Sequence, residues 1–178
     1  MHALPLVFIV LFLNACGEDA PKNPPFQSFE NTLERDTVAL AIEKDLELKF
    51  ANDLFNSPNG QLEVMRVELD HDPATQEAFV KVTSKATCSN QGDCLINLMH
   101  IPADASKPWQ TTYSAYGQDV HITNEKIDGH LSFYITHSLS AYHRHMWVKD
   151  DDFGSHYMLD TNEATTTYPG WQKQEQAK

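Results

Sequence analysis

The residues best able to do chemistry are histidines, and they are unevenly placed. His121, His130, His137, His143, His145 and His156 crowd one stretch of a chain that holds 9 histidines in all. The densest piece is Tyr142-His143-Arg144-His145-Met146. On a strand, side chains two apart point to one face, so His143 and His145 would look the same way. A turn at Lys149-Asp150-Asp151-Asp152-Phe153-Gly154 would bring His156 back opposite Trp147, on that same face. Three neutral imidazoles could then converge on zinc or copper, with Met146 favouring copper. The structural alternative is a core-facing strand with satisfied histidines.

Other chemistries find less support. Asp150-Asp151-Asp152 followed by Gly154 reads better as a turn than as a calcium loop, because successive carboxylates point in different directions. No Gly-x-Ser-x-Gly elbow is present, and 7 glycines leave little material for a phosphate loop. Glu63 and Glu68 have no pocket context. The pattern therefore leans away from an enzyme. Trp109, Tyr113, Tyr116, Tyr142 and Trp147 form a second constellation, since Tyr and Trp suit binding surfaces. They also suit core packing.

The elements that would position these residues read as short strands. Ser57-Pro58-Asn59-Gly60 and Asp70-His71-Asp72-Pro73 mark turns. Between and beyond them, strands are expected at Leu62 to Leu69, Ala78 to Thr83, Leu95 to Ile101, Trp109 to Tyr116, Val120 to Thr123, Leu131 to Thr136, Leu139 to Lys149 and His156 to Leu159. Leu95 to Ile101 is apolar enough to be buried on both faces. Val38, Leu40, Ile42, Leu46, Leu48 and Phe50 are all even-numbered, so Thr37 to Phe50 is expected as a strand despite its helix-forming residues. Ser28 to Asp36 allows a short helix. The fold class is mainly β, an antiparallel β-sandwich or small barrel.

A chain of 178 residues with net charge −12 is one domain able to build its own core. That charge argues against nucleic acid, whose phosphates need clustered Lys and Arg, and is compatible with a basic protein partner. Cys88 and Cys94 enclose turn-forming residues and read as a disulfide closing a small loop.

The third cysteine, Cys16, ends Leu13-Asn14-Ala15-Cys16, after an uncharged apolar run from Leu4 to Leu13. That run is too short to span a bilayer as a helix, which needs about 20 apolar residues, but it suits an export signal. The stretch resembles the lipobox of bacterial lipoproteins. The resemblance covers only the beginning of the chain. It implies cleavage before Cys16, acylation of Cys16, and attachment to the membrane through lipid. Gly17, where an Asp would resemble an inner-membrane retention signal, implies the outer membrane, facing the periplasm.

The organisation expected is a signal over 1–15, a proline-rich tether over 16–27, a β-rich domain over 28–160 and a polar tail over 161–178, with Trp171 able to pin the tail. The function expected is a non-catalytic, lipid-anchored periplasmic binding protein, most concretely an inhibitor or immunity protein against an envelope-acting toxin or hydrolase. The alternative is a copper- or zinc-binding lipoprotein using His143, His145 and His156.

Overall fold

The computed structural model of the chain describes residues 23–70, 72, 74–138, 141–150 and 154–165. Cys16 and its signal, Asp151, Asp152 and Trp171 lie outside the described residues. The fold is mainly β, two antiparallel sheets built as consecutive meanders. The first contains β1 (Gln27–Ser28), β2 (Gln61–Val67), β3 (Gln76–Thr83), β4 (Cys94–Ile101) and β5 (Gln110–Gly117), in that spatial order. The second contains β6 (Asp119–Ile127), β7 (His130–Thr136), β8 (Tyr142–Asp150) and β9 (Gly154–Thr165), also in order.

Alternation along the strands sends every second side chain to one of two cores. Met65, Phe79, Ile96 and Leu98 of the first sheet meet Val120, Ile122, Phe133, Ile135 and Tyr157 of the second, giving a β-sandwich. Phe79 and Phe133 touch edge to face across it at 4.9 Å. The opposite face of the first sheet, through Leu62, Val64, Val80, Leu95 and Met99, packs beneath two helices. These are α1 (Thr32–Leu46) and α2 (Ala51–Asn56). The sandwich therefore carries a third, helical layer. With apolar partners on both sides, β4 is buried on both faces, as its composition requires.

The strand expected over Thr37 to Phe50 is corrected to helix by α1. Asn31 begins it by accepting from the backbone N–H groups of Leu33 (2.9 Å) and Glu34 (3.3 Å), satisfying donors that a helix start otherwise leaves orphaned. Val38, Ala39 and Ile42, spaced to share one helical face, are buried. Leu40 is 55% exposed. Val38, Ile42, Leu46, Leu48 and Phe50 reach one core from α1 and the segment leading into α2 rather than from one strand face, and the helix propensity of Ala, Leu, Glu and Lys decided the outcome. Glu43 then accepts from the N–H groups of Phe50 and Ala51, tying α1 to the start of α2.

Two glycines permit close approaches. A Cβ on Gly60 would lie 2.6 Å from the Leu54 Cα, so the chain can fold back over α2 into β2 only without one. A Cβ on Gly117 would lie 2.2 Å from a methyl group of Ile135. At Gly117 and Gln118 the chain crosses from one sheet to the other, and Gln118 N–H donates to Thr136 O at 2.7 Å.

The Cys88–Cys94 disulfide forms as expected, with an S–S distance of 2.06 Å. The tether boundary shifts: Asn23 Oδ1 accepts from Ile122 N–H at 2.8 Å, Phe26 packs into the inter-sheet core, and Gln27 pairs with Val64. Residues 23–27 therefore belong to the folded body. At the other end, β9 runs past residue 160 to Thr165, so the polar residues expected as tail begin as strand. Arg144, on the outward face of β8, ties three strands together by reaching Glu125 of β6 and Asp160 of β9 (3.4 Å).

Candidate functional site

The β8–β9 hairpin sets the positions of the histidines. Asp150 pairs with Gly154, so Val148 faces His156 and Trp147 faces Tyr157. This is one residue away from the register expected from sequence, and a one-residue offset moves a side chain to the other face. His143 and His145 point inward, opposite Ile135 and Phe133 of β7. His156 points outward, its Nδ1 2.9 Å from Gly154 O. The expected trio of His143, His145 and His156 is therefore split between two faces. Among the described residues, no three His, Cys, Asp or Glu side chains group as metal ligands.

The inward pair has a different neighbourhood. His145 is 3% exposed, stacks on Phe133 with ring centroids 5.3 Å apart, and places Nδ1 2.6 Å from the Tyr113 hydroxyl. Burial, with the nearby imidazoles of His143 and His137, pushes its pKa down to about 3. Burial pushes the Tyr113 phenol up to about 12. Tyr113 consequently keeps its proton, and its hydroxyl and His145 Nδ1 share one hydrogen bond whose direction follows the ring tautomer. His145 Nε2 is buried and makes no hydrogen bond among the described residues.

His137, at the end of β7, completes the group. Its ring centroid is 4.3 Å from that of His143, and its Nδ1 is 3.8 Å from Asp93 Oδ2. Asp93 also accepts from Ser138 N–H at 2.8 Å and Ser138 Oγ at 3.0 Å. Through Asp93, the disulfide loop is latched to the turn between β7 and β8. Burial and His143 lower the His137 pKa, opposed by Asp93. The Asp93 contacts can lock the loop. Asp93 carried no signal in the sequence, because its partners lie far along the chain.

The five aromatic residues do not form one surface. Trp109 is buried in the helix-side core, with Phe29 at 6.0 Å. Tyr113 sits between the sheets. Trp147 stacks on His130 at 3.8 Å and meets Tyr157 edge on. Tyr142 lies beside His121, and Tyr116, at 48% exposure, is alone in being largely open. Packing competes successfully for Trp109, Tyr113 and Trp147 because each meets an apolar or aromatic neighbour that covers it.

A concavity lies elsewhere, on the helix side of the first sheet. A groove of about 520 Å³ runs between the start of α1 and the loop joining β4 to β5, lined in part by Leu33, Glu34, Thr37, Arg66, Lys107 and Trp109. Arg66 is its centre. Its guanidinium lies 5.2 Å from the Trp109 ring centroid and 3.0 Å from Glu34. A hollow of about 330 Å³ beside Pro24, Pro25 and Glu30 also borders Arg66. So does one of about 380 Å³ beside Glu68, Glu77 and Ile101. Burial, opposed by the Leu69 N–H bond and reinforced by Asp70 and Glu68, pushes the Glu77 pKa up to about 7. The sequence signal for this site was a cation on an otherwise apolar strand face, Arg66 beside Leu62 and Val64.

No family model matches the chain, and no curated protein or solved structure is similar to it.

Proposed function

We propose that this protein is a lipid-anchored envelope protein that binds a partner without catalysing a reaction, most concretely an inhibitor or immunity protein for an envelope-acting toxin or hydrolase. Acylation at Cys16, an outer-membrane position facing the periplasm, and a basic protein partner are parts of the same reading. One observation carries it: three concavities meet at Arg66, on a face where Leu33 at the rim is 75% exposed. Glu30, Glu34, Glu68 and Glu77 border these hollows against Arg66 and Lys107. A mixed-charge lining in which carboxylates outnumber cations, beside the apolar Leu33 and the Trp109 ring, fits a partner segment with an apolar anchor flanked by basic side chains. Central anchors of this kind dominate protein interfaces, while rim charges set association rate and salt dependence.

The test is retention of a partner from envelope extracts by the full chain, with Leu33→Glu alongside it. Leu33 is exposed, so the variant should keep its fold. A single stoichiometric, basic protein should be retained, more weakly at high salt, and bound at least about tenfold more weakly by the variant. Retention of no partner, or equal binding to both proteins, would count decisively against the reading.

A further inference from the structure

Sheet edges invite pairing with other strands, and folded proteins blunt them with short strands, proline, bulges or capped N–H groups. Three of the four edges here carry such devices. β1 is 2 residues long and follows Pro24 and Pro25. On β5, Thr111 N–H is capped by Asp45 Oδ2 at 3.1 Å, and the register with β4 breaks between Leu98 and Met99. On β6, Ile122 N–H is capped by Asn23 Oδ1 at 2.8 Å, and the register with β7 breaks after Ile122.

β9 differs. It forms the outer edge of its sheet, and Gly154–Thr165 contains no Lys, Arg or Pro. Its register with β8 also breaks, between Leu159 and Ala164, so its uninterrupted edge is Gly154–Leu159, which holds no charged side chain other than an imidazole. Among the described residues, no backbone group of another element is bonded to its outer edge. Met158 and Leu159, adjacent and on opposite faces of the strand, are 43% and 37% exposed.

We propose that β9 is a self-association edge, at which two copies of this chain pair their β9 strands antiparallel about a twofold axis at Met158, joining the two four-stranded sheets into one. The local sequence His156-Tyr157-Met158-Leu159-Asp160 is self-complementary in this register. Met158 faces the partner's Met158 on the outward side. His156 falls opposite the partner's Asp160, twice by symmetry, on the face where Asp160 is ion-paired with Arg144 of its own chain. Tyr157 falls opposite the partner's Leu159 on the inward side, extending the layer that Trp147 and Tyr157 already form. Directly opposed residues share a face in an antiparallel pair, so the two matches nearest the axis are apolar with apolar. A single patch meeting itself is also what a closed twofold dimer requires. Asp160 remains within reach of Arg144 on its own chain.

The axis makes the test specific. In the full chain, Met158→Cys puts two thiols on the axis, with Cα atoms about 5 Å apart, which a disulfide can span. Ser155→Cys puts them about 20 Å apart, which it cannot. Oxidation in intact cells should therefore link two copies through position 158 and leave position 155 unlinked, relative to the parent chain. In sedimentation of the purified full chain in detergent, self-association should appear with rising concentration. Met158→Lys, a charge on the edge of the kind that natural edges use, should weaken it at least about tenfold with unchanged melting. A chain that stays monomeric, equal linking at 155 and 158, unaltered association of a folded Met158→Lys, or linkage of position 158 to a different protein would each overturn the proposal. Should Met158→Lys fail to fold, the thiol pair alone decides.

Discussion

At the scale of single residues, His145 shows how burial changes what a side chain can do. An imidazole on the surface titrates near neutrality, but this one is enclosed by Phe133, Tyr113 and its own sheet, and its neighbours His137 and His143 penalise a positive charge further. Folding therefore favours the neutral ring. The stability that follows is complete above the ordinary value of 6.5 and is lost as pH falls towards about 3. Acid unfolding should expose this dependence: across that window the wild type should lose a few kcal/mol more than His145→Phe, which has no imidazole to charge. Denaturant melts at several pH values measure the difference directly. Parallel pH profiles for the two proteins would show that His145 is not the acid-sensitive group.

At the scale of elements, α1 depends on a cap that its sequence carries openly. Asn31, two residues before Leu33 and three before Glu34, accepts from both backbone N–H groups. Asn31→Ala removes that acceptor and should cost about 1 kcal/mol, read as a lower denaturant midpoint with an unchanged slope. No effect would mean that water or another group satisfies the helix start equally well. The same element shows why period alone misassigns a segment. Even-numbered apolar residues from Val38 to Phe50 fit a strand on paper, yet α1 needs only Val38, Ala39 and Ile42 to bury its contact with the sheet. Leu33 and Leu40 remain in solvent, where apolar residues obscure a helical pattern rather than reveal it. The remaining strands were legible because alternation, turn residues and length agreed. Their ends were less so: β6 and β9 extend beyond the expected segments through polar residues that hydrogen-bond in the sheet but carry no apolar signal.

At the scale of the whole molecule, the two sheets are joined by a single tight crossing. Gly117 lets β5 pass against Ile135 and Thr136, and an added methyl group would meet the Ile135 side chain at 2.2 Å and a backbone oxygen at 2.8 Å. Gly117→Ala must displace β5 from Ile135 and Thr136 at the crossing between the sheets. Overpacking of this kind typically costs about 1–3 kcal/mol, and thermal unfolding of the variant should show the loss. The two cores on either side of the first sheet make this a test of cooperation: one unfolding transition, lowered as a unit, is expected. Separate melting of the second sheet would show that the cores stabilise themselves independently. The groove at Arg66 belongs to this scale as well. It exists only because the start of α1, an internal position of β2 and the loop after β4 are brought to one place by the stacking of a helical layer on the sandwich.

The amino-acid sequence determined the β class, most strand positions, the Cys88–Cys94 closure and the clustering of histidines, because each follows from residue type and spacing along a short stretch. Tertiary structure alone decided which histidines meet, that Trp109 and Tyr113 are interior, that α1 is a helix above a sheet, and where the groove beside Arg66 lies. The reason is physical: a face becomes inside or outside only when another element covers it, and a hairpin register one residue different reverses every side chain without altering the pattern along the chain.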